Sequence, residues 1–207
     1  MKKVGIMGGT FNPVHYGHLF LAEVAYEQLG LDQILFMPSK NPPHKEKPKD
    51  VTGQQRVDML KLAIQDNPHF QLSLVELERE GMTYTADTLS ILAQTHPDTQ
   101  YYFIVGADSL LAMQQWWNPQ TVFDNCIVVA ACRDFVDKEQ LQQHAKYLEN
   151  NFKAKIIIID MPTIQIASSD IRERLAQDKS VRYYIPTAVY DYINKKELYL
   201  VDSEDLS

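Results

Sequence analysis

Two histidines three residues apart, His15 and His18, follow the run Gly8-Gly9-Thr10-Phe11-Asn12-Pro13-Val14. Gly8 and Gly9 permit positive φ and close backbone approach, Pro13 fixes its own φ, and the histidines fall where a helix begins. Backbone N–H groups exposed at a helix N-terminus attract anions, and imidazoles there add donors that can carry charge, so the turn suits a phosphate chain. A second polar cluster, Ser168-Ser169-Asp170-Ile171-Arg172, combines hydroxyls with a guanidinium near the other end of the chain. Between them, Lys40, His44, Lys45, Lys47, Lys49 and Arg56 face only Glu46 and Asp50, a basic stretch fitted either to solvent or to a small polyanion.

Several chemistries are excluded or weakened by spacing. Gly5, Gly8 and Gly9 do not form G-x-G-x-x-G, and no G-K-[ST] follows, so neither the dinucleotide fingerprint nor the P-loop is present. Zinc needs three or four ligands, and no Cys/His cluster accompanies the two histidines. Ser168 and Ser169 lack a G-x-S-x-G setting, and helix capping is their ordinary structural role.

The elements that must position these residues follow from the pattern of the 207-residue chain, which is 45% hydrophobic and 23% charged. That composition and length predict one globular domain, 1–207, with an α/β core over about 1–165 and a helical part over about 166–207. A net charge of −7 disfavours non-specific nucleic-acid binding. The start Met1-Lys2-Lys3 lacks the apolar stretch of a signal peptide, and nothing reaches membrane-spanning length, so a cytoplasmic location is expected. Cys126 and Cys132 bracket an apolar run and stand too far apart on a strand to bond, which predicts buried free thiols.

Strands are predicted at Lys3–Met7, Gln33–Met37, Phe70–Val75, Gln100–Val105, Cys126–Ala131 and Lys155–Asp160. Helices are predicted from His18 to Gln28, ended by Gly30; after the capping box Thr52-Gly53-Gln54-Gln55; after Thr83–Thr88; from Gly106; over Thr121–Asp124; over Asp137–Asn150; and over Ser168–Gln177 and Pro186–Lys196. Such alternation predicts a doubly wound, mainly parallel sheet with helices on both faces, its chemistry collected at the C-terminal strand ends. Four segments fall there: the opening turn, the proline-rich basic loop, Gly106-Ala107-Asp108 and Ile166–Arg172.

The motifs carry a resemblance. His15-Tyr16-Gly17-His18 matches the H-x-G-H signature of a nucleotidyltransferase superfamily, and Ser168-Ser169-Asp170-Ile171-Arg172 is similar to its S-[ST]-x-x-R signature. Pro42-Pro43-His44-Lys45, Thr83-Tyr84-Thr85-x-Asp87-Thr88, and Gly106-Ala107-Asp108 with Trp116-Trp117 narrow it: from Lys3 to about Tyr199 the chain resembles the bacterial nicotinate mononucleotide adenylyltransferases. The resemblance implies a Rossmann-like fold, transfer of the adenylyl group of ATP to nicotinate mononucleotide with Mg²⁺ held mainly through the phosphates, and no nucleic-acid or membrane partner; homo-oligomerisation stays open. It further implies that His15, His18 and Arg172 are catalytic. ATP would be bound by Gly8, Gly9, Thr10, Phe11, Lys45, Gly106, Asp108, Arg133, Ser168 and Ser169. The mononucleotide would be bound by Thr85, Trp117 and Lys45. Structural alternatives stand beside these roles: a helix cap for Thr85 or Asp108, core packing for Trp117. Three positions depart from the family pattern: Ser169 where threonine is commoner, Ala167 where serine is frequent, and Asp134 rather than proline after Arg133.

Overall fold

In the computed structural model, residues 1–40, 51–132, 138–162 and 164–200 are described. Six strands, β1 (Lys2–Gly9), β2 (Gln33–Pro38), β3 (Phe70–Leu72), β4 (Thr99–Gly106), β5 (Ile127–Cys132) and β6 (Lys155–Asp160), form one parallel sheet in the order β3-β2-β1-β4-β5-β6. The order reverses between β1 and β4. At that point successive connections leave to opposite sides and open a crevice beyond the strand ends.

Side chains alternate strictly along the central strands. Met7, Ile34, Phe36, Tyr102, Ile104, Val129 and Ala131 pack on one face with residues of α1 (Tyr16–Leu29), α2 (Gly53–Ile64), α8 (Ser168–Ala176) and α9 (Thr187–Lys195). Val4, Ile6, Met37, Tyr101, Phe103, Val105, Val128 and Ala130 pack on the other face. They meet α4 (Thr85–Thr95), α5 (Ala107–Ala112), α6 (Pro119–Asn125) and α7 (Lys138–Phe152). Burial on both faces explains why these strands read as continuous apolar runs. Each fully buried side chain of this size contributes about 1.5–3 kcal/mol, enough that displacing one strand's register would be prohibitive.

Local signals set several boundaries as expected. Gly30 ends α1 in the left-handed region at φ 56°, and Thr52 caps α2 by accepting from Gln55 N at 3.2 Å while Gln55 Oε1 accepts from Thr52 N at 2.8 Å. Both cysteines are buried free thiols. Among the described residues no helix is long and apolar enough to cross a membrane.

Two boundaries differ from the pattern. The first helix begins two residues early, at Tyr16, so that His15 and His18 flank its opening turn. The third strand stops at Leu72, and Val75–Glu78 is a short helix, α3. Ser73 N donates to Phe36 O at 2.9 Å and closes the ladder at the sheet edge; beyond it Glu76 turns inward and accepts from the Thr88 hydroxyl of α4 at 3.1 Å.

Candidate active site

The turn after β1 is built differently from the glycine-based expectation. Neither Gly8 nor Gly9 has positive φ; the left-handed residue is Phe11, at φ 49°. Its ring is 1% exposed, 5.9 Å from Phe36 and edge-on to His18 at 5.0 Å. Core packing therefore holds a backbone conformation that a bulky side chain otherwise avoids.

The carbonyl groups of Gly9, Thr10, Asn12 and Pro13 are tied to internal donors. Ser39 N donates to Gly9 O at 2.8 Å. Arg56 donates through Nη1 to Thr10 O at 2.6 Å and through Nη2 to Ser39 O at 2.9 Å. Arg172 Nη1 donates to Asn12 O at 2.7 Å, Ser168 Oγ to Pro13 O at 3.0 Å, and the Tyr199 hydroxyl to Asn12 Oδ1 at 2.6 Å. Carbonyl dipoles turned to internal donors do not face an incoming phosphate, which leaves the turn electrostatically suited to anions.

His15 occupies the N-cap of α1, is 6% exposed, and stacks on His18 with ring centroids 3.7 Å apart. The His15 N–H donates to His18 Nδ1 at 3.3 Å, so a neutral His18 carries its proton on Nε2, the tautomer that donates to a phosphate oxygen. Capping and phosphate chemistry are thus compatible, the first fixing the ring for the second. The glycine inside H-x-G-H has a steric reason: a Cβ on Gly17 would lie 3.0 Å from His15 Nδ1 and 3.1 Å from its Cε1.

Ser168 and Arg172 bond to carbonyls of this turn and join motifs more than 150 residues apart in one structure. Neither serine caps α8, whose N-cap is Ala167. Ser169 is exposed, with its hydroxyl 3.1 Å from Asp170 Oδ1.

On the other side of the turn lies a cavity of about 420 Å³ whose lining includes Gly8, Gly9, Thr10, Thr85, Asp108 and Trp117. Trp117 is 51% exposed and stacks on Tyr84 at 4.7 Å, so it is not core. Thr85 is the first residue of α4 and makes no cap, since the cap position is Tyr84. Asp108 is the second residue of α5 behind Gly106 at the N-cap, and is exposed toward the same space. Ser168 and Arg172 instead meet the turn at Pro13 and Asn12, and His18, stacked on His15, meets it at Phe11. Lys45 and Arg133 lie outside the described residues.

Residues without an expected role complete the arrangement: Asn12 and Tyr84 inside the quoted motifs, and Ser39, Glu76 and Tyr199 outside them. Arg56, grouped above with the basic stretch, is 3% exposed and spans two strand-end turns. Burial lowers its pKa from the ordinary arginine value, and Tyr199 opposes this. Its position on the stripe Arg56, Met59, Leu60, Ala63, all buried on α2, is the signal that a charge belongs inside. Among the described residues no three His, Cys, Asp or Glu side chains converge as a metal cluster. The donor set of imidazole, guanidinium and hydroxyl matches phosphate oxygens.

Comparison with known proteins agrees with this geometry. The cytidylyltransferase-like family model matches residues 6–174. A protein of Lachnoclostridium phytofermentans named "Probable nicotinate-nucleotide adenylyltransferase" is 48% identical over 200 residues, covering 97% of this chain and 100% of that protein. One of the same name from Carboxydothermus hydrogenoformans is 42% identical over 197 residues, 95% of this chain and 98% of its own. The Plasmodium falciparum nicotinic acid mononucleotide adenylyltransferase complexed with NaAD shares the fold, with a TM-score of 0.77 at 23% identity over 96% of this chain and 98% of that one. With H-x-G-H and S-S-x-x-R meeting at one turn and relatives matched over nearly their whole length, the chain belongs to the nicotinate-nucleotide adenylyltransferases of the cytidylyltransferase-like family.

Proposed function

We infer that this chain transfers the adenylyl group of ATP to nicotinate mononucleotide, giving nicotinate adenine dinucleotide and pyrophosphate. One observation carries the reading: the Gly8–Pro13 turn is a shared wall, with an aromatic-edged cavity on one side and the His15, His18, Ser168 and Arg172 cluster around the other. A phosphate held at that wall has a ring pocket on one hand and polyphosphate donors on the other.

The acceptor's phosphate is already an anionic nucleophile. Its oxygen attacks the α-phosphorus of ATP, a P–O bond forms there, and the α,β-bridging P–O bond breaks with its electrons leaving on pyrophosphate. No general base of high strength and no covalent enzyme intermediate is needed, so catalysis is alignment plus stabilisation of charge on the leaving group. His18, its Nε2–H set by the bond at Nδ1, would meet the phosphoryl oxygens as they gain charge; His15 would meet the neighbouring phosphates. Arg172, through guanidinium N–H groups beyond the one that fixes the turn, and Ser168, through its backbone N–H at the start of α8, would meet the distal phosphates, with Ser169 beside them. Gly8 to Phe11 would contribute backbone N–H groups, Gly106 and Asp108 would hold the nucleotide ribose, and Thr85 and Trp117 the pyridine ring. Mg²⁺ neutralises phosphate charge when bound; it would arrive on the triphosphate with phosphate oxygens and water as its main ligands.

Pyrophosphate release decides the reading. With ATP and Mg²⁺, nicotinate mononucleotide is the expected acceptor against nicotinamide mononucleotide and phosphopantetheine. Release with phosphopantetheine alone moves the acceptor assignment, and silence with all three makes the chain a nucleotide-binding module without turnover.

A further inference from the structure

The acceptor side is built on a helix start that no side chain caps. α4 opens at Thr85 behind Tyr84, and neither Tyr84 nor a neighbour supplies a cap bond. Yet Tyr84, stacked on Trp117, and Thr85 both line the cavity, so what sets their placement lies outside the helix's own cap. Arg79, the residue after α3, is placed to set it. Its guanidinium donates through Nη2 to Asp87 Oδ2 at 3.1 Å and through Nη1 to the Thr88 hydroxyl at 3.0 Å, both on the first turn of α4. The two bonds close the base of the loop Glu80–Tyr84, which carries the platform residue Tyr84 at its end.

The neighbouring groups put Arg79 at the centre of this network. The Thr88 N–H bonds the Tyr84 carbonyl at 3.2 Å, and the Thr88 hydroxyl donates to Glu76 Oε1 at 3.1 Å while accepting from Arg79. The guanidinium thus reaches one carboxylate directly and a second through a hydroxyl, and its planar fork fixes a direction that a point charge would not. On its backbone side, the Arg79 carbonyl accepts from Lys40 Nζ at 2.7 Å, and Lys40 follows Ser39, whose N–H holds the Gly9 carbonyl. One residue therefore joins the acceptor platform to the strand end that braces the phosphate turn. The side chains of Arg79 and Asp87 are 22% and 37% exposed, so their pairing adds little to overall stability and its effect is geometric.

We propose that Arg79 is a positioning residue for the acceptor: by closing the base of the Glu80–Tyr84 loop, it sets the Tyr84–Trp117 platform and Thr85 against the phosphate turn. This rests on the acceptor being nicotinate mononucleotide. Arg79 does not itself line the cavity and acts through Tyr84 and Thr85, which do.

The test is a double-variant cycle read by steady-state kinetics, with Arg79→Ala, Trp117→Ala and the two combined, and thermal denaturation of each. Arg79→Ala is expected to raise KM for nicotinate mononucleotide by about tenfold, the size of the ring contact it positions, with KM for ATP within about twofold and the melting temperature little changed. Because Arg79 acts through the platform, the combined variant is expected to lie close to Trp117→Ala alone, well short of the roughly hundredfold product of two independent losses. Arg79→Lys, which offers a point charge in place of the fork, is expected to recover only part of the loss. An unchanged KM for the mononucleotide, an equal rise in both constants, or a fully multiplicative combined variant overturns the proposal. Where Arg79→Ala does not fold, Asp87→Asn, which keeps the shape and removes the partner charge, enters the same cycle with the same two readings. Absence of turnover with nicotinate mononucleotide in the unmutated protein breaks the acceptor assignment and the proposal with it, and is distinguished by needing no variant.

Discussion

The two sides of the Gly8–Pro13 turn are held by different means. From Thr10 to Pro13 the turn is fixed by Arg56, Arg172 and Ser168 at its carbonyls and by Tyr199 at the Asn12 side chain, donors from α2, α8 and the segment after α9. Around the acceptor cavity, the ring platform is one stacked pair, Tyr84 and Trp117, with Trp117 half exposed, above a polar group of Glu76, Arg79, Asp87 and Thr88. The contrast matches the demands of the two ends. Charge developing on a leaving group is best stabilised by dipoles that need no reorganisation, which a turn tied by several long-range donors would supply. Recognition of a flat ring depends on stacking area and on the charge state of nearby groups, so the acceptor side can be tuned without disturbing the first.

Substitutions on each side would sharpen that contrast. The largest effect is expected from His18→Ala, which removes a preorganised donor: kcat falls by about 10² or more while the melting temperature is little changed, as steady-state kinetics and thermal denaturation would report. Unchanged turnover would reduce the pair of histidines to capping and packing. Next is Arg56→Ala. It strands the Thr10 and Ser39 carbonyls and is expected to destabilise the fold by about 2–3 kcal/mol, read by denaturant titration, with partial recovery in Arg56→Lys, which restores one charged donor. Full stability in Arg56→Ala would show that the turn is held by the remaining donors alone. The smallest is Trp117→Ala, expected to raise KM for the acceptor by about tenfold, as for loss of one aromatic stacking contact, with KM for ATP unchanged. A rise in both constants would mean that the two sides are not separable.

The sequence by itself determined the strand and helix alternation, the capping box at Thr52, the stop at Gly30, and the two motifs with their order, because each depends on residues within one or two turns of each other. Thr85, Asp108 and Trp117 were named through the family resemblance, and they line one cavity with the glycine turn. Only the tertiary structure decided what holds that turn. Tyr199 meets Asn12, and Arg172 meets its carbonyl, across most of the chain's length, and no local period encodes a pairing of that kind. Arg56 counted as surface charge until its helix face was known. Glu76 lay just past the strand expected over Phe70–Val75, which ends at Leu72 and is followed by the short helix that carries Glu76 to a hydroxyl of α4. Positive φ was expected at the glycines and is found at Phe11, because burial of its ring outweighs the intrinsic preference of its backbone. Short-range chemistry chose the elements and the motifs; long-range hydrogen bonding to one turn made them a site.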